Sequence, residues 1–515
     1  MVRSFQHLFI YVCFTSVVLL QVSCGGDGGS PPPIDNTSSD TNPTVLNVSS
    51  FSATAGNASV SLSWQNPSSE FAGVILRRGL TCPNTPAEGT QVADTLNEGA
   101  VDSGLANGTT YCYAAFVYDG IGNFSSGLTL YARPLAPTTA SYATVSTGGI
   151  HTLAIKADGS LWAWGENYWG QLGDGCLFGD CYDRTRPFQV GSDTTWTSVS
   201  GGTVHSAAIK ETGTLWSWGD NSSGQIGTGC SGSSSFYFST PSQVGADTDW
   251  ISVSAGGFFT AAIKSDGTLW AWGSNYGGQL GDGCVPMSAC VYSAVPVQVG
   301  IEMDWTKVEA GAVHVVALKS DGTLWAWGIN NHGQLGSGTA GAESYSSVPL
   351  QIGSDTDWGS IGAGDMYSLA IKTDGTLWAW GDNDAGELGL VCSGSPCSWI
   401  YSPTQVGTDI NWKEVDGGYN KTLAVKTDGS LWAWGSYSSS TGTALYEPSQ
   451  IGSGTAWSKI SSGGGGGFSG IGGGHFMALE STAPGEFKLS GWGTNMYGQL
   501  GIGTMSPVWV PTGVN

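Results

Sequence analysis

Four histidines, His151, His205, His314 and His475, stand at one recurring position of this 515-residue chain. Phe259, Tyr367 and Asn420 take the same place in three further copies. Imidazoles that converge on an axis are ready metal ligands. A ligand set that accepts phenylalanine, tyrosine and asparagine does not hold an ion, so the position reads instead as one that hydrogen-bonds backbone near inner strands. Asp382-Asn383-Asp384-Ala385-Gly386-Glu387 has the letters of a calcium loop. Its Asn and Gly belong to the repeat, and the EF-hand spacing is absent. The acidic loop Asp174, Asp180, Asp183 adds no stronger pattern. Neither a metal nor another cofactor is expected.

Catalytic signatures are missing too. Gly467-Phe468-Ser469-Gly470-Ile471 lacks the final glycine of a nucleophile elbow. No H-E-x-x-H zinc motif and no phosphate-cradling loop occurs. Paired carboxylates need only meet in space, so a hydrolase or glycan-binding lectin acting in a central funnel stands as the alternative to a non-enzymatic binding protein.

The segment Leu161-Trp162-Ala163-Trp164-Gly165 recurs along most of the chain. Its second tryptophan falls at positions 164, 218, 272, 327, 380, 434 and 492, the last in the worn copy Ser490–Gly493. Steps of 53–58 residues mean one supersecondary unit per copy. Asp158-Gly159 between two apolar alternating runs is a hairpin signal. Each unit therefore supplies about four short antiparallel strands, one propeller blade. The repeated tryptophans read as inter-blade core, not as a carbohydrate platform, because packing is what demands seven copies in register.

The composite pattern, G-G-x-H-x-x-A-[IL]-K-x-D-G-x-L-W-x-W-G-x-N-x-x-G-Q-L-G, resembles the regulator of chromosome condensation repeat family over residues 140–515. The resemblance implies an all-β, seven-bladed propeller. It also implies two functional precedents, a guanine-nucleotide exchange factor for the small GTPase Ran that contacts chromatin, and a secreted bacterial propeller that inhibits beta-lactamase through loops on one face. The last copy ends without a W-x-x-V-S strand, and Tyr142-Ala143-Thr144-Val145-Ser146 stands before the first. Strand 142–146 is therefore expected to complete the last blade and leave no long edge unpaired.

Residues 43–134 read differently. Trp64 and the run Leu105 to Tyr113 resemble a fibronectin type III β-sandwich, with Tyr111 as the corner tyrosine and Tyr113 facing inward. Ahead of them, Arg3 and the apolar stretch Leu8–Val22 read as an export signal, residues 1–23. Ser23-Cys24 resembles a bacterial lipoprotein cleavage site, with Gln21 departing from the aliphatic residue usual there. Cys24 would carry the lipid, and ordinary secretion with a free Cys24 is the other reading. Residues 24–42 form a flexible tether. A lipid-anchored protein of the cell envelope or surface follows, touching the membrane through its anchor only.

The other cysteines fit an oxidising compartment. Cys176 with Cys181, Cys284 with Cys290 and Cys392 with Cys397 occupy equivalent loops and read as disulfides, as do Cys82 and Cys112, leaving Cys230 over. The formal net charge is −23, and six of the seventeen basic residues are one dispersed repeat position, Lys156 to Lys426. No basic patch marks a nucleic-acid partner.

What varies between otherwise identical copies points to function. Tyr168, Trp169, Tyr276, His332 and Tyr497 lie between Asn and G-Q-L-G, and Phe258, Met366 and Tyr419 follow the glycine pairs. Two readings stand for them, anchors of a binding surface or local packing. Aromatics gathered on one rim would favour a protein partner, and convergent carboxylates in the funnel would favour hydrolysis. The expectation is a monomeric, inhibitor-like scaffold that binds a protein. Copy six loses G-Q-L-G between Tyr437 and Tyr446, so that side of the ring should be loosest.

Overall fold

The computed structural model describes residues 45–514, apart from 57–58, 107–108, 135–140, 177–180, 231–235, 285–289, 342–343, 392–397, 437–444, 464–473 and 484–485. Cys24, the signal and tether expectations, the Cys392–Cys397 pair and Ser469 with its flanking residues lie outside the described residues. The described elements are all β-strands. The chain divides into two compact units, residues 1–137 and 138–515.

In the first unit, a three-stranded sheet (Ser49–Gly56, Ser59–Gln65, Gly99–Ser103) and a four-stranded one (Thr90–Thr95, Gly73–Gly79, Tyr111–Tyr118, Leu128–Ala132) share a core. Alternation along Val60, Leu62 and Trp64 buries one face of the first sheet against Val74, Leu76 and Tyr113 of the second. The Tyr111 hydroxyl accepts a hydrogen bond from the Ala106 N–H at 3.2 Å. Tyr113 is fully buried, and its hydroxyl donates to Asp102 at 2.9 Å, which also binds Arg78. Cys82 and Cys112 are joined.

The second unit is seven consecutive four-stranded antiparallel sheets, blades one to seven, spanning Tyr142–Gln189, Trp196–Gln243, Trp250–Gln298, Trp305–Gln351, Trp358–Gln405, Trp412–Gln450 and Trp457–Gly513. In blade two, Trp196–Gly201 is the inner strand, followed outward by His205–Lys210, Leu215–Asp220 and Tyr237–Gln243. Every outer strand carries a proline, from Pro187 to Pro511. Proline lacks the N–H that would pair a further strand, which suits an edge.

The LWAWG segment is the third strand. Its second tryptophan is 0% exposed in all seven blades. Trp218 sits in a core with Leu153, Leu161 and Leu172 of blade one, so it belongs to the contact between blades. Burying such a ring removes 150–250 Å² from water, worth roughly 4–6 kcal/mol as an upper bound. The terminal glycine has a structural reason too. Gly165 takes φ +104°, and its six counterparts lie between +94° and +109°. A β-carbon there would meet the His151 backbone.

Ring closure differs from expectation. Tyr142–Thr147 does not complete the last blade; it is the inner strand of blade one, paired with His151–Lys156. A hairpin through Gly148-Gly149 closes a far shorter loop than pairing with the last blade would, and so costs less chain entropy. Blade seven already has its own four strands. Side chains close the ring instead. The Thr147 N–H donates to Ser461 Oγ at 2.9 Å, and Trp164 Nε1 donates to the Gln499 carbonyl at 2.9 Å.

Candidate functional site

Strand register sorts the loops onto two faces. Gly201 pairs with Ser206, His205 with Gly219 and Asp220 with Tyr237, so the glycine-pair turns and the N-x-x-G-Q-L-G loops share one face. The Asp-Gly turns and the links between blades share the other.

Each G-Q-L-G loop is folded by its own amides. Asn167 Oδ1 accepts from the Leu172 N–H at 3.1 Å, and Gln171 Oε1 accepts from the Trp169 N–H at 2.9 Å. The same pair of bonds recurs at Asn275 with Gln279 and at Asn330 with Gln334, and Glu387 substitutes for glutamine in blade five. The repeating letters are loop scaffold, and the two residues between them sit at the loop tip.

All eight variable candidates lie on this face. Tyr168 and Tyr276 are 57% and 64% exposed. Trp169 is half-buried, edge-on to Tyr168 at 4.9 Å. His332 is half-buried, edge-on to Trp399 of the next blade at 4.9 Å, and Gln334 Nε2 reaches Met366 Sδ at 3.8 Å. Phe258, Tyr419 and Tyr497 are half-buried. Both sequence readings therefore apply, projection for the tyrosines of blades one and three and packing for His332 and Met366.

Sequence reasoning missed others. Tyr182 and Phe236 in the same loops are exposed, and so are Tyr292, Tyr345 and Trp399, each the first residue of an outer strand. That position repeats as an aromatic, and repetition disguised it as scaffold. Every exposed aromatic described in the ring lies in these loops or within the first three residues of an outer strand at this face. Cys176–Cys181 and Cys284–Cys290 are disulfide-bonded here, and Cys230 is free and exposed.

The face is also acidic. Burial pushes Glu166 and Glu387 up to about 7 and Asp365 up to about 6. Burial likewise raises Asp183, Asp220 and Asp382. Among the described residues of these loops, only Asp174 has a lysine or arginine partner, Arg184 at 2.9 Å. On the opposite face the second-strand lysines are paired, while the turn carboxylates Asp158, Asp266, Asp321, Asp374 and Asp428 accept from Ser or Thr hydroxyls two residues on. Lys210, Lys264, Lys372 and Lys426 reach Asp193, Asp247, Asp355 and Asp409 at 2.6–2.7 Å, and their ammonium groups lie over tryptophan rings. Its exposed apolar side chains, Ile301, Met303 and Ile410, are aliphatic.

The recurring histidines meet hydroxyls of the next blade through Nε2, and Tyr367 at the same position bonds backbone as expected, meeting the Lys421 carbonyl and the Gly418 N–H. His151 Nε2 meets Ser206 Oγ of the next blade at 2.9 Å, His205 meets Thr260 at 2.9 Å, His314 meets Ser368 at 2.8 Å, and His475 meets Thr152 at 2.8 Å. Each hydroxyl donates onward to a loop carbonyl, as Ser206 does to Gln171 at 2.8 Å. With its proton spent on that carbonyl, the hydroxyl accepts from the imidazole, so each histidine carries its hydrogen on Nε2. Burial holds His151, His205 and His314 neutral, down to about 3. The copy-six residue is Lys421, not Asn420. Register aligns Lys421 with Gly435 as it aligns His151 with Gly165, and Asn420 is the turn residue before it, at φ +53°. Among the described residues, no group of three or more metal-ligating side chains converges.

A central cavity of about 560 Å³ runs between the inner strands. One inner-strand position reads Ser146, Ser200, Ser254, Glu309, Gly362, Asp416 and Ser461 around it. The serines tie blade to blade, Ser146 accepting from the Gly201 N–H at 3.0 Å and Ser200 from Ala255 at 2.9 Å. Glu309 and Asp416 flank Gly362 and are enclosed by the channel walls. Burial, then the charge of Asp416, pushes Glu309 up to about 8, and burial with Glu414 pushes Asp416 up to about 7. Their only sequence signal is departure from serine.

Models of the regulator of chromosome condensation (RCC1) repeat match residues 158–209, 212–263, 266–318, 321–371 and 374–425, and a second form matches from residue 142. The chain is 33% identical over 257 residues to the RCC1 domain-containing protein RUG3, mitochondrial, of Arabidopsis thaliana, covering 48% of this chain and 55% of that one. It is 26% identical over 301 residues to the ultraviolet-B receptor UVR8 of the same plant, covering 56% and 64%. The chain thus spans about half to two thirds of these relatives' lengths. Among solved structures, human WBSCR16 is similar with a TM-score of 0.58 at 20% identity, over 69% of this chain and 94% of that one. Yeast RCC1 (Prp20) bound to Kap60 gives 0.55 at 21%, over 63% and 78%. Repeat matches covering half of the sequence, on a propeller with the same relatives, place this chain in the RCC1 repeat family.

Proposed function

We propose that the ring is a non-enzymatic scaffold that binds a protein partner through the G-Q-L-G face. The observation that carries this reading is the gathering of the exposed ring aromatics, Tyr168 and Tyr276 foremost, on one side. Aromatic anchors give large contact area at low entropy cost. Carboxylates without cationic partners on the same face favour a basic patch on the partner. Protein binding is known among the relatives, as for Prp20p of Saccharomyces cerevisiae, which binds Gsp1p and histones. The scaffold is exported and lipid-anchored at Cys24, acts as a monomer in the cell envelope, and uses the first unit as a fibronectin type III-like spacer.

The test is capture from a cell-envelope extract by the wild-type chain and by Y168A/Y276A. Loss of one captured protein with the melting temperature unchanged supports the reading; equal capture by both chains contradicts it. Glu309 and Asp416 favour a second reading, glycan binding or hydrolysis in the channel. E309Q and D416N would then abolish activity on an envelope glycan while leaving protein capture intact.

A further inference from the structure

Seven junctions hold the ring together, and most share one wiring. A second-strand residue of one blade meets a hydroxyl of the next, as His205 meets Thr260. Tyr367 keeps the pattern, receiving a hydrogen bond from Thr422 at 3.1 Å, and blades three and four replace it with the apolar Phe259 and Val315 in one core. Blades six and seven break it. Here the pair is Lys421 and Phe476, with the ammonium nitrogen 4.6 Å from the ring centroid. Lys421 is 2% exposed, and among the described residues its Nζ has no hydrogen-bond partner. The same junction lacks a second bond. Trp164, Trp218, Trp272, Trp327, Trp380 and Trp434 each donate Nε1 to a carbonyl of the preceding blade at 2.9–3.1 Å, whereas Trp492 Nε1 has no partner among the described residues.

We propose that the contact between blades six and seven is a seam in the ring, opened by protonation of the buried Lys421 amine. A buried ammonium that makes no hydrogen bond among the described residues, with the Gly463 carbonyl near it but not bonded, is costly, and opening the seam returns it to water. Phe476 offers only its ring face. His475 beside it is held neutral by burial. Tyr367, on the side of blade five, spends its hydroxyl on the Lys421 carbonyl. Glu387 and Asp416 bear on Tyr367, and burial alone acts on the amine, lowering it to about 7.

The sign follows. An exposed lysine titrates near 10.4, so the open seam binds the proton that the closed seam lacks between about pH 10 and 7. Opening therefore becomes easier as pH falls through that window and stays easy below it. His475 adds in the same direction below about 6.5.

Hydrogen exchange on the full chain tests this, with protection of Trp457–Ser462 and His475–Glu480 compared with the matching strands of blades two and three. Between pH 8.5 and 6.5, protection at the seam should fall at least tenfold relative to blades two and three, after correction for intrinsic rates. K421M should raise seam protection at pH 6.5 and remove the pH dependence. K421H/F476T, which rebuilds the pair found between blades seven and one, should do the same and serves if the methionine variant misfolds. Seam protection equal to that of the other junctions, or a pH dependence that survives both variants, would overturn the proposal.

Discussion

On the Asp-Gly face, blade after blade places a lysine over a tryptophan and against an aspartate. On the G-Q-L-G face, the same strands end in loops whose amide scaffold repeats while the tips carry Tyr-Trp, Ser-Ser, Tyr-Gly, Asn-His or Asp-Ala. The first face holds its lysines internally. The second leaves aromatics such as Tyr168 and Tyr276 facing outward. The contrast teaches that repetition marks what the ring needs for itself, and departure from it marks what is free for something else.

The comparison breaks most visibly at the scaffold. Trp380→Ala should cost about 3–5 kcal/mol, seen as a large drop in the denaturant midpoint, because it empties an inter-blade core and removes one of the two hydrogen bonds to the Gln334 carbonyl. A small effect would mean that the repeated tryptophans are not what joins the blades. Next comes acid. Buried neutral histidines have folded values far below the ordinary 6.5, so the unfolded chain binds more protons between about pH 6.5 and 3 and stability falls as pH drops through that range. H151F/S206V, which copies the Phe259 and Val315 junction, should flatten that fall by up to about 1.4 kcal/mol per pH unit. Urea titrations at pH 7 and pH 4.5 measure it. C284S/C290S should cost at most about 2 kcal/mol, since the closed loop is short, and calorimetry of the oxidised and variant chains would show it. Smallest is Tyr276→Ala, expected within about 0.5 kcal/mol of wild type in stability while weakening partner capture.

Much of this was legible in the residues. The LWAWG period fixes the blades, and Asp-Gly fixes the hairpins, because both are local, repeated demands of backbone and packing. The closing strand was not. Tyr142–Thr147 has the same wording wherever it pairs, and the choice between blade one and blade seven is a matter of loop closure. Lys421 escaped because a one-residue slip beside the Asn420 turn hides it, and only register reveals it. The channel carboxylates Glu309 and Asp416 lie more than a hundred residues apart, so no local pattern joins them. Of the candidate anchors, His332 and Met366 turned out to pack locally, a distinction that needed neighbours from adjacent blades.

The most direct test of the two-face account is site-specific photocrosslinking in the cell envelope, with a benzophenone amino acid at Tyr276 in one chain and at Ile301 in another. Both positions are exposed and on opposite faces. The account predicts one discrete crosslinked protein from position 276 and none from position 301. Crosslinking to the same protein from 301 alone, or equally from both, would contradict it.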